Sequence, residues 1–450
     1  MKEDTKILSQ ILFNKLKIDL DKTPVEHLSN YIAIEYFLTI EDEPPSDVTN
    51  LEKVNRYLQS FDHLCEVKDW EKANKILLTN LNNTNGESNE NLANLLHVWD
   101  YHSELVKIYS KLCDNLNKLN KHTEATCWQN LARGYRFLDQ YSDAEVFYKK
   151  AQSLFDDLGE KKKIGWIFHD LGLMDADRNK DQDAYENYKK ALNIFKKNHD
   201  FKGIALVLND IARVKVNQRK YSKAIQIYRQ IIDSYLPKVK DEESRAWIFH
   251  NFSRSLTNRG EYREAYKYNA QSLKLFRQID HRTGIGWSLY NFSLLALCLK
   301  KNKSAYVFAN NGLTLFRELK NQTGIASLLH VLGVIAFSQD RSKTFDFYKE
   351  KILIWHHLGN LPGIAQALEG FARLSLEREP LCAIRLFSAA QAIRRNTKFA
   401  LPFSDIDEYK LSVNTARKNL DATTFKSAWT SGMQMSPKEA IREALSIKSK

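Results

Sequence analysis

The sequence predicts an all-α protein: a right-handed α-solenoid of helical hairpins, with a helical N-terminal region before it and C-terminal capping helices after it. Two observations carry this. A block returns in register across the middle of the chain, marked by Ala144, Ala184, Ala224, Ala265 and Ala305 at separations of 40, 40, 41 and 40. Stacked units keep such spacing because each must present the same face to the next, whereas independent domains need not. Composition agrees. Only 16 Gly and 8 Pro in 450 residues disfavour turn-rich sheets and long disordered linkers, while 43% hydrophobic and 11% aromatic residues supply a continuous core.

The elements follow in chain order. Tyr36-Phe37-Leu38 reads as a helix end and Pro44-Pro45 as a turn. Residues 51–118 read as further helices. Phe61-Asp62-His63-Leu64-Cys65 leads through Lys68-Asp69-Trp70 to Ala73, Ile76 and Leu77, and Leu96-His97-Val98-Trp99-Asp100-Tyr101 opens a helix toward Leu112. Between them, Asn80 to Asn91 is rich in Asn, Gly and Ser and predicts a loop.

The first repeat begins at Ala125. Trp128, Leu131, Ala132 and Tyr135 fall on one face of a helix, Asp139-Gln140-Tyr141-Ser142 breaks that face, and Ala144, Tyr148 and Ala151 open a second. Large residues on the first helix meet small ones on the second, which permits close antiparallel packing. In residue type and spacing together this resembles the tetratricopeptide repeat (TPR). Later units give Phe168, Leu171, Gly172 with Ala184, Tyr188, Ala191; Leu208, Ile211, Ala212 with Ala224, Tyr228, Ile231; and Phe249, Phe252, Ser253, Leu256 with Ala265. Leu289, Phe292, Ser293, Ala296 with Ala305 and Ala309 make a fifth. Leu329, Leu332, Gly333, Ala336 with Phe345, and Leu368, Phe371, Ala372 with Ala383, Phe387, Ala390, complete seven. The expected organisation is an N-terminal helical region at 1–118, an array at 122–396 and a cap at 397–450.

The period exceeds the usual 34 residues by about six. The surplus is expected after the second helix, in Lys320-Asn321-Gln322-Thr323-Gly324-Ile325 and Leu358-Gly359-Asn360-Leu361-Pro362-Gly363-Ile364, with glycines closing the longer helix at positive φ. Ser436-Pro437-Lys438-Glu439 predicts a capped terminal helix, with an N-cap Ser, Pro at the first position and Glu three residues on. Such a helix would cover the last apolar face of the array.

Two flanking pieces extend the resemblance. Phe61-Asp62-His63-Leu64-Cys65, Asp69-Trp70-Glu71-Lys72-Ala73 and Trp99-Asp100-Tyr101 are similar to the helical region of bacterial, especially cyanobacterial, NB-ARC (STAND) signalling ATPases. Ala383-Ile384-Arg385-Leu386-Phe387-Ser388-Ala389-Ala390, Leu401-Pro402 and Ala428-Trp429 with Gly432 are similar to the tails of LuxR-type and AfsR-like regulators. The sequence departs from these regulators in carrying no Gly-x-x-x-x-Gly-Lys-[Ser/Thr] loop to cradle phosphates, and no helix-turn-helix domain is expected after Lys450. The resemblance therefore implies the sensor half of such a regulator, without ATPase or DNA-binding activity.

Bulk chemistry narrows the class further. The net charge is +12, yet residues 1–150 hold 18 Lys+Arg against 24 Asp+Glu while 151–450 hold 49 against 31. A basic array of this kind favours an acidic partner. Cys65, Cys113, Cys127, Cys298 and Cys382 are widely spaced, with no CxxC, so they read as apolar fillers in a reducing compartment. The start Met1-Lys2-Glu3-Asp4-Thr5-Lys6 is no signal peptide, and no run reaches the roughly 18 apolar residues of a membrane span; a cytoplasmic protein is expected. No GxSxG, HExxH, EF-hand or Walker motif appears and His356-His357 lacks a third ligand, so neither enzyme activity, cofactor nor metal is expected.

The first helix of each hairpin is expected to line a concave groove. Its position six reads Asn130, Asp170, Asp210, Asn251 and Asn291; position five His169, His250, Tyr290 and His330; position nine Arg133, Arg213 and Arg254; position two Trp166, Trp247 and Trp287. An Asn/Asp column suits the main chain of an extended peptide, arginines hold carboxylates bidentately, and Trp and Arg are enriched at hot spots. In related repeat proteins an Asn column at this position holds extended peptides, and the resemblance implies the same here. Each residue has a structural alternative. The Asn/Asp column bonds neighbouring helices, the tryptophans pack at the seam, the histidines are ordinary surface or groove residues, and the arginines pair with Asp170 and Asp210. The favoured function is a non-catalytic protein- or peptide-binding scaffold or sensor, gripping an extended or acidic partner or a separate effector chain. A nucleic-acid-binding solenoid using 151–450 and a peptide-pheromone receptor are the alternatives.

Overall fold

The computed structural model describes residues 2–40, 48–81, 91–99, 101–115, 120–178, 180–337, 339–397, 401, 406–418 and 420–447. The Pro44-Pro45 turn, most of the Asn80–Asn91 loop, Met1, Asp100, Pro402 and Lys450 lie outside these. The chain divides into two compact units, residues 1–207 and 208–450.

The first unit contains α1 (Lys2–Leu16), α2 (Val25–Glu35), α3 (Asn50–Lys53), α4 (Asn55–Glu66), α5 (Trp70–Leu78), α6 (Leu92–Val98), α7 (His102–Cys113), α8 (Lys121–Phe137), α9 (Tyr141–Asp157), α10 (Lys161–Asp177) and α11 (Asp181–Lys197). Helix α12 (Phe201–Asn217) carries the chain into the second unit. There follow α13 (Tyr221–Gln230), α14 (Glu242–Arg259), α15 (Tyr262–Gln278), α16 (Arg282–Cys298), α17 (Asn302–Glu318), α18 (Gln322–Ala336), α19 (Arg341–His357), α20 (Leu361–Ser375) and α21 (Pro380–Thr397). Helices α22 (Ile406–Lys418), α23 (Ala422–Gln434) and α24 (Pro437–Ser446) end the unit. Seven successive pairs, α8/α9 to α20/α21, are the seven repeats read from the sequence; the first helix of each is called A and the second B.

The alanines mark the repeat because they sit where A and B helices touch. Ala144, Ala184, Ala224, Ala265 and Ala305 are fully buried. The A-helix residues that meet them are small as well: Gly172 lies against the Ala184 carbonyl and the Ser253 hydroxyl donates to the Ala265 carbonyl (2.8 Å). In the N-terminal region Phe61, Leu64, Trp70, Ala73, Ile76 and Leu77 share one core with Leu92, Leu96, Leu105 and Leu112. The helix expected to run from Leu96 toward Leu112 is two helices, α6 and α7, interrupted after Val98.

The surplus over 34 residues is not a loop. Helices α8, α9, α10 and α11 each have 17 residues, and three-residue turns join them, so the longer period is longer helices. The turns repeat one device. The residue after the helix takes a left-handed conformation, at Asp139, Gly159, His199, Arg219, Gly260, Asp280, Lys300, Lys320 and Gly359. The next amide then bonds back five residues, as in Gln140 N–H to the Tyr135 carbonyl (2.9 Å) and Asn321 N–H to the Phe316 carbonyl (2.9 Å).

Of the three glycines expected at positive φ, only Gly359 adopts it. Gly324 and Gly363 lie in the first turn of their helices, where each amide caps onto Asn321 or Asn360 at 2.8 Å. They are glycine because the ring of the preceding B helix packs on their backbone: a Cβ would sit inside the Phe316 ring at Gly324 and 2.5 Å from the Trp355 ring at Gly363. The single 41-residue interval, Ala224 to Ala265, also has a structural cause. Helix α13 gives way to a π-turn at Ile231–Tyr235, which accommodates an extra residue, and then to a 3₁₀ turn at Leu236–Lys238 that contains Pro237.

The terminal cap forms as read. The Ser436 side chain accepts from the Glu439 amide while the Glu439 carboxylate accepts from the Ser436 amide (2.8 Å), with Pro437 in the first turn. Ala440, Ile441 and Ala444 then join the core formed by Leu368, Phe371, Leu386 and Phe387.

Candidate functional site

The A helices bring the sequence-selected residues onto one face within each unit, and most of their polar atoms are already engaged. In the first unit Asn130 donates to the Tyr109 hydroxyl (3.0 Å). Asp170, 3% exposed, accepts from Gln129 (2.9 Å) and from Arg133 (2.9 Å), both one repeat earlier. His169 is buried beside Trp166 and Tyr188.

In the second unit polar contacts recur from repeat to repeat. Arg213 and Asn209 both donate to Asp210 (3.0 and 2.9 Å), and Asn251 donates to Asn209 (3.1 Å). One repeat on, the Asn291 amide faces His250 Nδ1 (3.1 Å), with the Asn269 oxygen at 3.4 Å. His330 closes the series. Its Nδ1 lies 3.1 Å from the Lys351 amine and its Nε2 3.2 Å from the Gln366 amide, while Lys351 donates to Gln366 (3.0 Å). Lys351 is fully buried, and three residues past Gln366 the carboxylate of Glu369 holds Arg394 through two bonds, at 2.7 and 2.8 Å.

The tryptophans share one geometry. Trp166, Trp247 and Trp287 are half-buried, and each stands edge-on to the position-five ring three residues later (5.6 Å to His169, 5.5 Å to His250, 5.6 Å to Tyr290). Each also contacts the phenylalanine that ends its own B helix: Phe195 at 4.8 Å, Phe276 at 4.8 Å and Phe316 at 5.2 Å. They fill the seam between A and B helices.

Three of the Asn/Asp column and two of the position-five histidines are thus turned away from solvent. His169, Asp170, Asp210, His250 and Asn291 are buried, so a partner does not reach them from solvent. Desolvation drives this arrangement, since a buried polar group needs a partner and the adjacent A helix supplies one. Asn130, Arg133, Trp166, Trp247, Asn251, Trp287, Tyr290 and His330 are half-buried, and Arg213 and Arg254 are exposed. Sequence reasoning missed Gln129, Asn209 and Asn269. The first two occupy the same position five as His169 and His250, and the polar Asn209-Asp210 pair inside apolar α12 was the available signal. Asn269, fully buried on a B helix, carried none.

Burial has a titration consequence. It holds the His250 imidazole down at about 3, and the nearby Arg254 and Arg213 charges push the same way. Asn291 donates to Nδ1, which fixes the neutral ring. Below about pH 6.5 the unfolded chain takes up a proton that the folded chain refuses, so this stability is full above that pH and is lost as pH falls toward 3. Denaturant unfolding of the second unit should show about 2 kcal/mol lost between pH 7 and pH 5 through this ring. His250→Gln should flatten that dependence; an unchanged pH slope in the variant would contradict the assignment.

With this geometry in view, comparison with known proteins gives the class. The profile of the SNAP (soluble NSF attachment protein) family matches residues 86–240. The chain is similar in fold to a Rap protein solved in complex with Competence and Sporulation Factor (TM-score 0.57, 14% identity, 77% of this chain and 98% of that one). It is similar also to the Rap conjugation gene regulator of plasmid pLS20 in complex with the Phr* peptide (TM-score 0.50, 13% identity, 79% and 96%). A STAND protein with a tetratricopeptide repeat sensor from Pyrococcus horikoshii matches over 93% of this chain and 63% of its own, with a TM-score of 0.47 and 15% identity. No curated protein matches the sequence. The chain is a TPR-like helical-repeat protein, as the period implied. No described helix is long and apolar enough to cross a membrane.

Proposed function

We propose that this chain is a protein- or peptide-binding sensor module whose partner lies along the A-helix face of residues 208–450 and is held through acidic side chains. The observation that carries the reading is the pair Arg213 and Arg254, exposed guanidinium groups beside the hydrogen-bonded Asn209–Asn251 and His250–Asn291 contacts. Among the described residues Arg254 meets no carboxylate, and Arg213 pairs with Asp210 on its own helix. The Asn209–Asn251 and His250–Asn291 contacts fix the backbone beside them, so little ordering entropy remains to oppose binding. Paired guanidinium groups suit carboxylates. The two Rap proteins were solved in complex with a peptide or a named factor, and that precedent supports a peptide here. We take 122–396 as the binding array, 1–118 as an N-terminal helical region, 397–450 as its cap, and the cytoplasm as its compartment.

Capture from the native host tests this. The wild type should retain a partner at low salt that high salt releases. Arg213→Ala with Arg254→Ala should lower retention at least tenfold with helicity unchanged. Arg317→Ala, on B helix α17 and paired with Glu350, should retain it fully. Equal retention by the double variant would sink the proposal. Asn251→Ala is expected to act first on its contact with Asn209.

A further inference from the structure

We propose that the turn between α12 and α13 forms a binding site for a single phosphoryl dianion. A cleft of about 440 Å³ opens here, lined by Arg219, Lys220 and Lys223 from the turn and by Arg259 from the end of α14. Ser222 and Asn258 add a hydroxyl and an amide to its wall, and Tyr221 an aromatic ring. Four cations thus face one concavity. Among the described residues the only carboxylate against them is Glu261, 3.3 Å from Arg259, and Arg229 draws on the same carboxylate at 3.7 Å. Arg219 donates to the Leu401 carbonyl (2.5 Å) and Lys220 to the Gln218 side chain (3.0 Å). Neither contact neutralises charge, and Lys223 meets no carboxylate among the described residues.

Comparison between repeats shows that this charge is not a demand of the fold. The first repeat turns through Asp139-Gln140-Tyr141-Ser142-Asp143 and the third through Arg219-Lys220-Tyr221-Ser222-Lys223. The backbone is the same, with φ of 59° at Asp139 and 58° at Arg219. The Tyr-Ser pair is the same. Two acids have become two bases and the glutamine a lysine. The turn after α14, Gly260-Glu261-Tyr262-Arg263-Glu264, is acidic again. The turn after α16, Lys300-Lys301-Asn302-Lys303, is basic as well, but the acidic turn after α14 lies between the two in sequence, so the charge does not run from repeat to repeat as a nucleic-acid backbone needs. Isolated cations around a concavity match one compact, doubly charged oxyanion, whose acceptor oxygens suit Arg and Lys donors. Inorganic phosphate and a phosphorylated side chain share this chemistry.

The test uses the full chain and two probes, inorganic phosphate and a blocked tripeptide carrying phosphoserine, by calorimetric titration. Binding of either supports the site. Phosphate alone identifies the free anion as the source, and a phosphopeptide at least tenfold tighter identifies a modified chain. Arg219→Ala with Lys223→Ala should weaken binding at least tenfold with unchanged helicity. Lys301→Ala with Lys303→Ala removes the same charge elsewhere and should leave binding intact. Affinity should also fall below about pH 6, where the phosphoserine dianion takes up a proton. No binding of either probe, equal loss in both double variants, or a single-stranded oligonucleotide held through both lysine-rich turns would overturn the proposal. None of the four cations is Arg213 or Arg254, so the Arg219→Ala, Lys223→Ala and the Arg213→Ala, Arg254→Ala variants test this site and the partner face separately.

Discussion

Glu369→Ala should destabilise the second unit by about 3–5 kcal/mol. Glu369 and Arg394 have side chains 9% and 10% exposed, and two bonds join them in a planar fork between α20 and α21. Removing the carboxylate leaves a guanidinium buried without its counter-charge, and that desolvation penalty is the larger part of the loss. Glu369→Gln keeps one acceptor oxygen and should cost less. Glu369→Leu with Arg394→Leu removes both charges and should recover most of the loss, because two packed apolar side chains replace a pair whose desolvation nearly offsets its attraction. Urea unfolding followed by amide exchange in α20 and α21 measures all three. A Glu369→Ala midpoint equal to wild type would show that Arg394 finds another acceptor.

The second large effect is expected at Gly432. Helix α23 lies on α21 so closely that a Cβ at Gly432 would fall well inside contact distance of the Ser388 hydroxyl and the Arg385 carbonyl, and 2.7 Å from the Arg385 Cα. Backbone does not yield as a flexible side chain does, so α23 must lift. Gly432→Leu should therefore cost about 3 kcal/mol or more and expose α23 and α24 to protease, with the earlier hairpins intact. Full resistance to cleavage in the variant would mean that the two helices separate without penalty.

Much of the fold was legible because it rests on rules local to a helix face. The alanine marks, the turn at Asp139-Gln140 and the Ser436–Glu439 capping box depend on residues within a few positions of one another. The glycines at 324 and 363 were misread because their reason lies elsewhere: the Phe316 and Trp355 rings arrive from the preceding helix, and the sequence offers only a Gly near a turn, which ordinarily signals positive φ. The polar contacts between repeats were half legible. Their columns were visible at the A-helix positions, but whether Asp170 or Asn291 faces solvent or its neighbour depends on repeat-to-repeat packing. The partners of Lys351 and Arg394 lie on another helix. Only the approach of α20 encloses them with Gln366 and Glu369. The basic turn at Arg219 was submerged in the overall charge and stands out only when equivalent turns are laid side by side.

The central claim is that the exposed A-helix arginines Arg213 and Arg254 hold the partner. Hydrogen exchange of the full chain, with and without the captured partner, tests it most directly. New protection should be concentrated in α12 and α14 and absent from Arg213→Ala, Arg254→Ala protein. Protection confined to the B helices α15 and α17, or to residues 1–118, would contradict it.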